Sequence, residues 1–201
     1  MGDINRITYV HEYTELFDGP FLGVGSKIYG STQNFRLLFA DKSEYIGVEV
    51  DNGLGVDIGP ALMDDLEKIN VTLSGRRFCT IICLSVLVYC EQPFKMADNL
   101  ICLLKPRGYM CIGVPFSWKI HGYPSGYWRF TPEGVRKLFP RIDFDIEQSA
   151  ASTSKTNEFQ KLDGDFGKVS FSFSEHRKNG HVISGISAKL LKTISKAGPL
   201  K

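Results

Sequence analysis

Net charge is nearly absent from this sequence: 24 Lys and Arg stand against 22 Asp and Glu, a formal +2 at neutral pH. That balance is too small to make nucleic acid or an anionic membrane the main partner. Long apolar runs are missing as well. The longest, from Cys79 to Cys90, has twelve residues, well short of the ~20 a helix needs to cross a bilayer. The opening MGDINRITYV carries no apolar stretch of the signal-peptide kind, so a soluble, cytoplasmic protein without a membrane partner is expected. Cysteine occurs five times (Cys79, Cys83, Cys90, Cys102 and Cys111), an odd number with no Cys-x-x-Cys spacing and no His/Cys cluster. A disulfide framework and a zinc site are thereby disfavoured, no metal is expected, and the thiols read as small buried hydrophobes. Internal repeats and low-complexity tracts are also lacking. With 43% hydrophobic and 23% charged residues in 201, the chain reads as one globular domain over residues 1–201.

The small net charge hides a division. Residues 1–150 hold 15 basic and 18 acidic side chains, whereas residues 151–201 hold 9 basic and 4 acidic ones. A basic terminal segment on a mildly acidic body is most simply a solvated face, and it is also compatible with an anionic substrate.

Short apolar runs alternate with helical patterns, which argues an α/β fold with a mostly parallel sheet. The patterning predicts a first strand over 20–24 ending in the turn Gly23-Val24-Gly25-Ser26. It then predicts a helix over 31–40, a second strand over 45–50 and a short third over 56–58. Phe78–Leu84 is continuously apolar, as befits a central strand covered on both faces. Pro93 stands where a first helical residue would, and Ala97, Leu100, Ile101 and Leu104 follow at 3/4 spacing. Lys105-Pro106-Arg107-Gly108 ends that helix before a strand over 109–114. Thr131-Pro132 is an N-cap followed by a first-turn proline, opening a helix to about Phe139. A strand is expected over 142–147, a long polar loop over 149–167, an added strand through Val169, Phe171 and Phe173, and a closing strand over 182–190. The stretch 149–180 is thus a variable loop with an extra strand.

A glycine turn between a strand and a helix lets a nucleotide-like ligand approach backbone donors. Taken alone, Gly23-x-Gly25 is equally an ordinary turn, and it is not the G-x-G-x-x-G of dinucleotide binding, so an NAD-type reductase is disfavoured. Glu49 ends the second strand about 24 residues later, where a carboxylate accepts hydrogen bonds from a ribose diol. An exposed strand-end acid would look the same.

Four segments in order, VGSKIYG (24–30), EYIGVEVDNGLGVD (44–57), FCTIICLSVLVYCEQPFKMADNLICLLKPRGY (78–109) and VPFSWKIHGYPSGYWRFTPEGVRKLF (114–139), resemble class I S-adenosylmethionine (SAM)-dependent methyltransferases. More narrowly, they resemble the small methyltransferase-domain family with a VPF-x-W-x-x-H…YWRFTP block. The resemblance covers residues 20–140. It implies a Rossmann-like sheet of seven strands, mostly parallel with the last antiparallel, and helices on both faces. SAM is the implied cofactor and S-adenosylhomocysteine (SAH) the product. By the same resemblance Gly23, Gly25 and Ser26 lie against the methionine part, with Lys27 in the same loop. Glu49 binds the ribose, Asp57 lies near the adenine, and Leu84 and Ser85 line the sulfonium. The chain departs from the family where an acid commonly stands at Gly23, Asp at Glu49, Leu-Glu-His at Leu87-Val88-Tyr89, Pro-Gly-Gly at Pro106-Arg107-Gly108, and Asp at Gly126.

Methyl transfer from a sulfonium is an in-line displacement in which the protein mainly positions the acceptor and excludes water. A hydroxyl acceptor also benefits from a base. With Glu-His replaced by Val88-Tyr89, His121 is the candidate base, against the alternative of a loop imidazole bonded to backbone. Tyr123, Tyr127 and Arg129 form an aromatic and cationic cluster suited to a sugar or an anion, while Trp128 reads as an anchor. The expected activity is methyl transfer to a small-molecule acceptor, a sugar or glycan-linked intermediate by family analogy. The second reading is a catalytically impaired relative that binds SAM, SAH or a partner protein. A homodimer is compatible with either.

Overall fold

Four apolar runs pair side by side into a parallel sheet, and that sheet positions everything else. In a computed structural model of the chain, residues 4–30, 35–59, 62–116, 125–144, 149–152, 159–161 and 191–194 are described. Phe21–Val24 (β1), Tyr45–Val48 (β2), Phe78–Leu84 (β3) and Leu104–Gly113 (β4) lie in the order β2-β1-β3-β4. The register sets Val24 beside both Val48 and Cys83, and Leu84 beside Gly113. All four carboxyl ends therefore reach the same edge. Ala150–Ser152 (β5) and Phe159–Lys161 (β6) form a separate antiparallel ribbon. Leu191–Ile194 (β7) pairs antiparallel with the outer side of β4.

The two faces of the sheet bury different chemistry. Leu22, Val24, Ile46, Val48, Ile81 and Cys83 belong to one core. It is covered by α2 (Leu66–Thr72), α3 (Pro93–Leu103) and α4 (Pro132–Leu138), which contribute buried Ile69, Leu100 and Val135 among others. Phe21, Tyr45, Ile82 and Leu84 face the opposite way, into an aromatic core with Tyr9 and Val10 of α1 (Ile4–Glu12), Phe17 and Phe39. Phe21 stacks on Phe39 at 4.4 Å between ring centroids. Cover on both faces explains why β3 shows no polar alternation; its one polar residue, Thr80, donates to Asp18 O at 2.7 Å, and each buried apolar side chain contributes roughly 1.5–3 kcal/mol.

Local chemistry sets the helix starts as expected. Pro93 and Pro132 open their helices, and the Thr131 hydroxyl accepts a hydrogen bond from the Gly134 amide at 3.0 Å. Elsewhere the structure corrects the expectation. The helix over 31–40 is only a 3-10 turn at Phe35–Leu38 among the described residues, and residues 31–34 lie outside them. There the Arg36 side chain reaches out to Tyr45 O at 2.8 Å and to the Asp57 carboxylate. The second strand stops at Val48 because the chain turns there: the Gly25 and Ser26 amides donate to Val48 O. The third strand is reduced to a single parallel bridge between Val48 and Ile58. Leu104 begins β4 directly at the end of α3, with the register shifting between Phe78 and Thr80 and Arg107 in left-handed backbone at φ 64°. Over 142–144 only Phe144 makes a β-bridge. The loop over 149–167 contains β5 and β6, whose backbone pairing needs no apolar alternation. Residues 145–148, Val169, Phe171, Phe173 and the strand over 182–190 lie outside the described residues.

Candidate functional site

The sheet order contains a reversal. From β1 the chain passes to β2 on one side, and then returns to place β3 on the other side of β1. At such a switch point the connections leave the carboxyl edge in opposite directions and open a crevice, which is where ligands of open α/β sheets bind. A cleft of about 650 Å³ lies here, between Gly25, Ser26 and Lys27 after β1, Glu49 after β2, and Leu84 and Ser85 at the end of β3. Its size suits a cofactor-sized ligand.

The turn after β1 is built for close approach. Gly25 has φ +73°, and a Cβ there would run into the Val86 side chain while standing 4.0 Å from Glu49 Oε2. The Ser26 hydroxyl donates to Gly23 O at 2.7 Å and closes the turn. Ser85 also has positive φ, 59°, a conformation that costs a residue with a side chain of order 1–3 kcal/mol and concentrates at functional sites. Its amide donates to Gly113 O at 2.7 Å, tying the end of β3 to β4.

Glu49 is half-buried, and its Oε1 accepts from the Val50 amide at 2.8 Å, while Oε2 faces the Gly25 turn. Lys27 also lines the cleft. It pairs with Asp51 at 3.5 Å, sits 5.3 Å from the Tyr29 ring centroid, and packs where a Gly53 side chain would be.

Gly23 and Asp57 stand behind the lining rather than in it. A side chain at Gly23 would collide with the Tyr45 phenol, which occupies that space. Burial pushes this phenol up to about 12, against the lowering effects of the Ser26 hydrogen bond and the Arg36 charge and with a raising one from Asp57. Asp57 accepts from the Gly47 amide at 2.6 Å and pairs with Arg36, so its carboxylate braces the end of β2.

The loop 125–130 docks on the 3-10 turn Leu87–Tyr89. The Tyr127 and Trp128 amides donate to Val88 O, and the indole N–H of Trp128 donates to Cys90 O at 2.7 Å. Trp128 thus anchors the loop, stacked 6.3 Å from Phe130. Tyr127 is exposed, its hydroxyl donating to Glu91 at 3.3 Å, and Arg129 bonds Trp128 O at 2.7 Å. Neither lines the cleft. His121 and Tyr123 lie outside the described residues. Two departures from the pattern that the sequence resembles meet here: a Cβ on Gly126 would stand 3.7 Å from the Val88 methyl and 3.1 Å from the Arg129 guanidinium. Val88 is 2% exposed, whereas Tyr89 lines the cleft.

Sequence reasoning missed α1 and with it Arg6, whose guanidinium lines the cleft and donates to Leu84 O at 3.3 Å. The signal within the helix was slight, the adjacent apolar pair Tyr9 and Val10 in an otherwise polar stretch. Among the described residues no helix is long and apolar enough to cross a membrane, and no group of His, Cys, Asp and Glu could hold a metal ion.

No family model matches the sequence, and no curated protein does. Solved structures do match by fold. The N-methyltransferase NodS from Bradyrhizobium japonicum is 12% identical, with a TM-score of 0.57 over 94% of each chain. A SAM-dependent methyltransferase from Archaeoglobus fulgidus is 15% identical, with a TM-score of 0.57 over 94% of this chain and 92% of its own. The 1,6-didemethyltoxoflavin-N1-methyltransferase from Burkholderia thailandensis, with SAH and its acceptor bound, is 10% identical, with a TM-score of 0.56 over 96% of this chain and 77% of its own. The chain has the α/β Rossmann-like methyltransferase fold.

Proposed function

We propose that the protein is a SAM-dependent methyltransferase acting on a small-molecule acceptor. The observation that carries this reading is the convergence of Gly25, Ser26, Lys27, Glu49, Leu84 and Ser85 on one cleft at the switch point of the sheet. SAH bound in a structural neighbour supports SAM as cofactor.

SAM supplies the activated methyl group when bound, so the chain's own residues have only to bind, orient and move a proton. Glu49 offers its carboxylate to the ribose hydroxyls. Gly25, lacking a side chain, admits the methionine part, and Ser26 holds the turn in that shape. Leu84 and Ser85 line the sulfonium, while Asp57, through Gly47 and Arg36, braces the strand that carries Glu49. His121 follows β4 in the chain and takes the acceptor's proton. Tyr123 recognises the acceptor, a sugar or glycan-linked alcohol, together with Tyr127 and Arg129, which stand outside the cleft lining on the loop docked beside Tyr89, and the basic segment 151–201 would favour an anionic part. The protein works in the cytoplasm as one domain with a seven-stranded sheet, alone or as a homodimer.

Glu49→Gln keeps the shape and loses the charge. SAH affinity should then fall by about 10–100-fold, the worth of hydrogen bonds to a charged group. His121→Ala should bind SAH as wild type does and lose labelled-methyl transfer to a panel of sugars. Unchanged SAH binding in Glu49→Gln would remove the ribose role, and unchanged transfer in His121→Ala would remove the base.

A further inference from the structure

The loop after β1 is laced to the chain after β2 on both sides of Glu49. The Gly25 and Ser26 amides donate to Val48 O, just before Glu49, and the Ile28 amide donates to Leu54 O at 2.9 Å, beyond it. Between these backbone bonds stands an ionic tie, Lys27 to Asp51 at 3.5 Å. The lysine stem follows a set path to reach it. Gly53 carries no side chain, and a Cβ there would stand 2.9 Å from Lys27 Cε and 3.1 Å from its Cγ. The ammonium ends 5.3 Å from the Tyr29 ring centroid. Only 23% of the Lys27 side chain is exposed, against 61% for Asp51, so the cation is held in the wall rather than extended into water.

Glu49 belongs to the laced segment. Its Oε1 takes the Val50 amide, and its Oε2 stands 4.0 Å from where a Gly25 Cβ would be. Sheet pairing holds the two chains only as far as Val24 and Val48. Beyond them, the place of the carboxylate relative to the Gly25 turn depends on how closely the two loops are drawn together. A lysine that packs its stem and pairs its head is suited to that task, since it orders the loops by contact as well as by charge.

We propose that Lys27 is a positioning residue: it straps the loop after β2 to the turn after β1 and holds Glu49 in place for a ribose diol, without itself touching the cofactor. The proposal rests on the methyltransferase reading of the same cleft. A partly exposed ion pair is modest in strength and is screened by salt. The strap therefore tunes affinity and makes it depend on ionic strength.

Calorimetry on the full chain tests this with SAH and with adenosine, an uncharged nucleoside that keeps the ribose and lacks the amino-acid group. Lys27→Met retains most of the stem and loses the charge. It should weaken both ligands equally, by about two- to fivefold at low salt. The gap to wild type should close at about 1 M salt, where screening acts within ~3 Å. Asp51→Asn should reproduce both effects from the other end of the pair. In Glu49→Gln protein, adding Lys27→Met should cost SAH nothing further, because the strap acts through that carboxylate. A loss confined to SAH overturns the proposal, since Lys27 would then contact the amino-acid group. An undiminished further loss in the Glu49→Gln background overturns it too, as does wild-type binding by Asp51→Asn. If Lys27→Met does not fold, Asp51→Asn carries the same comparisons from the exposed partner. A wild-type protein that binds neither ligand removes the methyltransferase reading and this proposal with it, whereas binding indifferent to the pair removes this proposal alone.

Discussion

Single residues explain why this cleft differs from the pattern its sequence resembles. Gly23 stands where that pattern carries an acid, and the structure supplies a reason: the Tyr45 phenol fills that space and meets Ser26. An acid and this tyrosine would collide, so the loss at position 23 and the tyrosine at 45 form one substitution in physical terms. Val88 and Gly126 similarly face each other beside Arg129, which makes two scattered departures a single loss of carboxylates around one guanidinium. Gly25 is the most demanding position. Valine there would be β-branched at φ +73° and would meet Val86. Gly25→Val should abolish SAH binding and also lower thermal stability by of order 1–3 kcal/mol of backbone strain. Wild-type binding by that variant would mean that the turn after β1 does not face the cofactor.

At the scale of elements, capping is the most readable signal. Thr131→Ala removes the acceptor for the Gly134 amide and should cost about 1 kcal/mol in denaturant unfolding with the slope unchanged. A midpoint equal to wild type would show that the α4 start is held by packing alone. The starts at Pro93 and Thr131 and the strand Phe78–Leu84 were legible because each is decided by neighbours in sequence: a missing amide, a hydroxyl, a run covered on two faces. The 3-10 turn at Phe35–Leu38 was not legible, because its Arg36 answers to Tyr45 and Asp57, 9 and 21 residues further on. The strand over 56–58 shrank to one bridge for a related reason. Its apolar alternation is short, and the Asp57 amide and carboxylate turn inward to Gly47. Helix α1 was passed over because its core-facing residues are tyrosine and valine within a polar stretch, and only the aromatic cluster across the sheet gives them a partner. The site divides likewise: the loop ends at Gly25, Glu49 and Ser85 follow from the strand pattern, whereas Arg6 reaches the cleft from 78 residues away in the chain.

For the whole molecule, the two faces of the sheet predict different responses to pH. The aromatic face holds Tyr45 with its neutral form favoured on folding, so its contribution is complete below the ordinary tyrosine value of about 10 and is lost as pH rises toward about 12. Alkaline titration followed in the tyrosinate band should show a late component that Tyr45→Phe removes. A single uniform titration of all the tyrosines near the ordinary value would contradict that burial. The near-zero net charge also takes on a sharper meaning. It averages an acidic body that carries the sheet edge and cleft with a basic segment after residue 150, while the cleft itself holds cations and carboxylates side by side.

The most direct measurement is a calorimetric titration of the purified protein with SAM and SAH. Saturable one-to-one binding of both at submillimolar concentration or tighter is the expected result, and it should weaken in Glu49→Gln. Absence of binding by either ligand at that concentration would contradict the assignment of the cleft.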